Sequence, residues 1–94
     1  MARVLVKVDV RRRASLLEFL REQQPKRKVV GERSFSFSVN DDARHIGFVI
    51  MEWESFDSAR HFVDSPNSKH LLGDWPVAEV LEVLALRDIA EDYN

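Results

Sequence analysis

Residues 52–75, EWESFDSARHFVDSPNSKHLLGDW, gather two of the three histidines, both tryptophans and several acids, the residue types that acid–base chemistry draws on. Spacing decides whether they make a site. Ser55 is placed to cap a helix, Asp57 suits the positive end of its dipole, and Phe56, Ala59, Phe62 and Val63 form an apolar stripe at helical intervals. Ser65 and Pro66 offer a second helix start and Gly73 a stop. The stretch reads as a packing helix over 55–72, broken around Ser65. His61, next to Arg60, falls on its solvent side. His70, close to Lys69 and Trp75, is the histidine placed to line a cavity rim, and it stands as a candidate catalytic group. His45 begins a strand beside a turn and reads as a surface residue. Trp53 and Trp75 read as packing or dimer-contact residues.

Nothing else in the chain has the spacing of a familiar reactive centre. There is no i, i+4 histidine pair, no glycine-rich phosphate loop and no nucleophile elbow among three glycines, so no metal or nucleotide cofactor is expected. Without cysteine there is no disulfide and no thiolate nucleophile or ligand. A net charge of −2 gives no general attraction to nucleic acid, and no run approaches the roughly 20 apolar residues that cross a bilayer. The opening MARVLVKVDVRRR is too short an apolar run for a signal peptide, which makes the cytoplasm the expected location. The basic runs Arg11–Arg13 and Lys26–Lys28 read as solvated charge at the ends of elements. With 94 residues, 45% of them hydrophobic and 32% charged, residues 1–94 should form one globular domain with a modest core.

The elements that position the candidates follow from periodicity. RVLVKVDV alternates, with Val4, Val6 and Val8 on one side and Arg3, Leu5, Lys7 and Asp9 on the other, which predicts a half-buried strand near 3–9. ASLLEFLREQQP has helical spacing and predicts a helix near 13–24 that ends at Pro25. GERSFSFSVN alternates again, Phe35, Phe37 and Val39 against Ser34, Ser36 and Ser38, for a strand near 33–40. HIGFVIMEW, apolar on both faces, predicts a central strand near 45–53. VAEVLEVLALRDI, rich in β-branched residues, predicts a fourth strand near 79–88.

The order β-α-β-β-α-β implies an α+β, ferredoxin-like sandwich: a four-stranded antiparallel sheet in the order 4-1-3-2 with both helices on one face. With residues 40–44 as the hairpin loop, Val39 faces His45, Phe37 faces Gly47 and Phe35 faces Val49. The more apolar Phe35 and Phe37 face belongs to the helices. The other face still carries Leu5, Ile46, Phe48 and Ile50 beside the serines, and such a patch marks an interface or a ligand cavity. A self-complementary homodimer is the expected cover. On that face Lys7 and Glu52 project from adjacent strands, so that a covered Lys7 would be held by the carboxylate or would polarise a carbonyl or phenolate. Lys7, Glu52 and His70 are therefore the catalytic candidates, and Ser36, Ser38 and Phe48 the ligand-binding ones. The plainer reading of Lys7 and Glu52 is a structural ion pair or simple exposure to solvent.

A strand ending in Glu52-Trp53, then a serine cap, alanine and aromatics on the helix, and a Ser-Pro break before a short second helix resembles the dimeric α/β-barrel superfamily, in particular its antibiotic-biosynthesis-monooxygenase-like members. The resemblance in element order covers nearly the whole chain, its motif residues 52–72. It implies homodimers with sheets face to face and ligands held between sheet and helices or in the barrel. The activities it implies include cofactor-free oxygenases, isomerases, dehydratases and haem-degrading enzymes. The haem-degrading members use a helix histidine, an asparagine on the first strand and a helix tryptophan. Here strand one has no asparagine and Phe62 stands at the matching helix turn, so haem is not expected. Three functions are consistent with this: a metal-free monooxygenase-like or isomerase-type enzyme on a small aromatic or polyketide-like molecule, a ligand-sensing or regulatory dimer, or an interaction protein.

Overall fold

The computed structural model describes residues 2–10, 12–64 and 78–89. Its elements run β1 (Ala2–Val10), α1 (Arg13–Val30), β2 (Glu32–Val39), β3 (Ile46–Trp53), α2 (Phe56–Asp64) and β4 (Ala78–Arg87). The strands form one antiparallel sheet in the order β2-β3-β1-β4, as the element order implied. Alternation becomes burial directly: Ala2, Val4, Val6, Val8 and Val10 are buried, while the residues between them are half-exposed. They meet Val49, Met51 and Trp53 of β3 and Leu16, Leu20, Ala59 and Phe62 of the helices in one core, so both helices cover the same face.

Helix α1 runs on through Pro25 to Val30, past the expected stop. Proline removes one helical N–H and crowds the carbonyl four residues back, which costs about 3 kcal/mol in a helix interior. Tertiary contacts offset that cost. Arg27, two residues after the proline, is buried, donates to the Leu20 carbonyl at 2.8 Å upstream and pairs with the buried Glu32 carboxylate downstream. The basic run at Lys26–Lys28 is thus not simply solvated charge, because its middle member ties the helix end to β2. Gly31 stops the helix at φ 126, and a Cβ there would sit 2.9 Å from Ser58 Oγ and 3.1 Å from Trp53 Cε3.

The β2–β3 hairpin is shifted by two residues from the expected register: Val39 pairs with Gly47, Phe37 with Val49 and Phe35 with Met51. The connection is longer than residues 40–44 because Asn40 builds a local turn. Its side-chain oxygen accepts the Asp42 N–H at 2.9 Å, its carbonyl accepts from Ala43, and its own N–H reaches the Ile46 carbonyl at 2.9 Å. A slip of two preserves the side-chain parity, so residues 34–39 keep their expected faces, while an irregularity between Glu32 and Ser34 puts Glu32 opposite Trp53 on the buried side. The ring of Phe37 still lies over Gly47, now diagonally: a Cβ on Gly47 would come within 2.6 Å of it.

Ser55 caps α2 as expected, its Oγ accepting the Ser58 N–H at 3.1 Å. The expected helix break at Ser65, Pro66 and the stop at Gly73 lie outside the described residues. Strand β4 carries a bulge: Lys7 pairs with Glu82 but Val8 with Val80, which leaves Leu81 as the extra residue. The bulge lets Val80 and Val83 both pack on the helix side despite their odd spacing.

Candidate ligand-binding face and groove

Cross-strand partners share a face, so the register lays out the sheet surface opposite the helices in rows. One row runs Ser38, Phe48, Lys7, Glu82; the next Ser36, Ile50, Leu5, Leu84; the third Ser34, Glu52, Arg3, Leu86. No described element covers these rows. Leu84 and Leu86 are each 38% exposed, whereas Leu5, Phe48 and Ile50 are half-buried by their neighbours alone. The surface is an apolar middle row between two rows that carry charge.

This layout sorts the sequence candidates. Ser38, Phe48 and Lys7 fall in one row and Ser36 in the adjacent one, so these four do come together. Glu52 does not join Lys7. Four residues along the strand separate their positions, about 13 Å at the usual rise, and the neighbours of Lys7 are Phe48 and Glu82. The Glu52 carboxylate is occupied by Arg3 Nε at 3.0 Å, and Arg3 Nη1 also reaches Asp88 at 3.0 Å. The expected pairing of Lys7 with Glu52 is replaced by an Arg3-centred link across β3, β1 and β4, because the register sets arginine, not lysine, opposite Glu52. His70 and Trp75 lie outside the described residues. His45 and His61 are exposed, and Trp53 is fully buried with its ring 4.8 Å from that of Phe62, a packing residue.

Grooves also lie among the described residues, two of which bear on the candidates. One, of about 380 Å³, lies between α1 and the free edge of β2 and is lined by Leu17, Arg21, Gln24, Ser34, Phe35, Ser36 and Phe37. The other, of about 330 Å³, lies at the start of α2 by Glu54, Asp57 and Asp88, where the Arg87 guanidinium stacks 4.0 Å over Phe56. Sequence reasoning missed the first groove, although Leu17, Arg21 and Gln24 at i, i+4 and i+7 already share one helix face. It also missed the Arg27–Glu32 pair, whose signal was opposite charges flanking the helix-stop glycine. Burial pushes the Glu32 carboxyl above its ordinary value, with Arg27 pulling the other way. Among the described residues no cluster of three His, Asp or Glu is arranged to hold a metal ion. Of the described histidines, neither His45 nor His61 is among the residues lining these two grooves.

Solved structures share this fold. A Bordetella bronchiseptica protein provisionally assigned as an antibiotic biosynthesis monooxygenase superposes with a TM-score of 0.65 at 16% identity, over 95% of this chain and 97% of that one. The haem-degrader MhuD of Mycobacterium tuberculosis, with two haems bound in its active site, gives 0.58 at 16% identity over 99% and 100%. A dimeric ferredoxin-like protein from an uncultured marine organism gives 0.58 at 13% identity over 100% of both chains. No family model and no curated protein matches the chain. The architecture is therefore the ferredoxin-like one of the antibiotic-biosynthesis-monooxygenase-like proteins.

Proposed function

We propose that this chain is one half of a homodimer that closes its apolar sheet face against a second copy and acts on a small aromatic or polyketide-like molecule in a monooxygenase-like manner. The observation that carries the reading is the uncovered row of Ile50, Leu5 and Leu84, with Phe48 and Leu86 beside it, on a sheet whose only described helices lie on the opposite face. A specific interface buries about 800 Å² per partner, which at about 25 cal/mol per Å² is a large gross gain even after association costs. Once covered, Lys7 sits between Phe48 and Glu82 with the serines of β2 at the row's end, an arrangement suited to holding a polar substituent of an otherwise apolar ligand. A shared fold supports this activity without determining it, since one fold hosts many chemistries.

The test is mass in solution. Light scattering at micromolar concentration should give twice the 10.9 kDa of one chain. Phe48→Asp should shift the mass to the monomer and lower the melting temperature together. A wild-type monomer, or a Phe48→Asp variant unchanged in both, would sink the reading.

A further inference from the structure

We infer that the groove between α1 and the free edge of β2 binds the anionic end of a small aromatic or acyl molecule, with Arg21 and Gln24 meeting the anion and Leu17, Phe35 and Phe37 its apolar body. The inference shares with the reading above only that a small molecule is bound; it adds a second seat, at the edge of the helix side, for an anionic ligand, and it does not depend on the dimer.

Four observations converge. First, the groove has the volume of a small-ligand site, about 380 Å³, and mixes apolar and polar walls as such sites do. Second, the polar side chains that α1 brings to it are Arg21 and Gln24, and no carboxylate is among the residues that line it. Arg21 makes no ion pair among the described residues, although the chain as a whole is acidic.

Third, the strand edge adds backbone donors. The Val10 N–H to His45 carbonyl and Asn40 N–H to Ile46 carbonyl bonds set the ladder phase: odd residues of β3 turn to β1 and even ones to β2. Ser34, Ser36 and Ser38 thus direct their backbone groups to β3. Phe35 and Phe37 direct theirs off the edge, along the groove. Fourth, the Arg27 guanidinium lies 5.3 Å from the centre of the Phe35 ring, with its charge balanced by Glu32. Arg21 is therefore the groove's own uncompensated cation. A guanidinium beside free N–H groups is the donor set that a carboxylate takes up, and an aryl or acyl body then covers Leu17 and the phenylalanine rings.

The test is a titration of ¹⁵N-labelled protein with 2-naphthoate and, separately, with its neutral counterpart 2-naphthamide. Naphthoate should give saturable amide shifts at Phe35, Ser36 and Phe37 and at the Gln24 side chain. Arg21→Gln, an exposed change that should leave the melting temperature as it was, should weaken naphthoate by roughly threefold to tenfold and leave naphthamide unaffected. Added salt should erode the advantage of the acid over the amide. Shifts confined to the Phe48 and Ile50 surface, or no saturation at all, would remove the site. Equal binding of acid and amide, insensitive to Arg21→Gln, would remove the anion. The same samples report mass, so naphthoate seated in the groove of a monomeric wild type would support this inference while overturning the dimer.

Discussion

Arg27 and Glu32 sit five residues apart, both out of water, and each is tolerable only because of the other. Removing one partner from a buried ion pair leaves an uncompensated charge and costs about 3–5 kcal/mol, whereas replacing both with apolar residues of similar size is often neutral. Arg27→Ala should therefore destabilise the protein by that amount in urea unfolding, and Arg27→Met with Glu32→Leu should recover most of it. The pair also carries a pH signature. Because burial raises the Glu32 carboxyl above the 4.5 of an unperturbed group, the native state holds this proton more tightly than the unfolded chain. Stability from this group is then fully present below about 4.5 and declines as pH rises through the folded value. Glu32→Gln lacks the titration. Subtracting its stability from that of the wild type at each pH should give a difference that falls with rising pH above 4.5. A difference that rises would mean that Arg27, not burial, governs the carboxyl.

At the scale of elements, α1 shows tertiary contacts overruling a local signal. The three apolar positions Leu16, Leu17 and Leu20 belong to one helix that runs to the stop at Gly31, and Pro25 interrupts its hydrogen bonding without ending it. Pro25→Ala should restore the missing N–H donor to the Arg21 carbonyl. The gain is partly offset by a more flexible unfolded chain, which leaves a net stabilisation of roughly 1–2 kcal/mol. Urea unfolding measures it, and hydrogen exchange at residue 25 should show a protected amide. A destabilised Pro25→Ala would mean that the proline's ring contacts or kink, rather than Arg27, hold the two halves of α1 in place. The hairpin tells a related story: Asn40 sets the length of the connection, and the strict alternation of Ser34–Val39 in β2 accepts only slips of two.

For the whole molecule, the balance of covered and uncovered surface decides behaviour. One face of the sheet is packed under α1 and α2, and the other presents leucines and a phenylalanine to whatever meets it. A chain of this size buries too small a fraction of its surface for large stability on its own. If a second copy supplies the cover, folding and association are linked, and the melting temperature should rise with protein concentration. Calorimetry over a hundredfold range of concentration measures that slope; a flat response would argue for a monomer whose open face serves another partner. Among the described residues no helix is long and apolar enough to cross a membrane.

The sequence by itself determined the element order, the strand order and the faces of β1, of β3 and of β2 from Ser34 onward, because period-two alternation and the spacing of Leu16, Leu20, Ala59 and Phe62 depend only on local geometry, whereas the bulges that set the faces of β4 and of Glu32 were not legible in it. It located the serine cap of α2 for the same reason. It did not determine which charges meet. Whether Glu52 finds Lys7 or Arg3 depends on register between strands 49 residues apart in sequence, and that register is set by hairpin and core packing together. Nor could periodicity show that Arg27 is buried against Glu32, that α1 survives Pro25, or that Arg21 faces a strand edge with free backbone groups. Each of these depends on how two elements dock, and docking is decided by the tertiary structure alone.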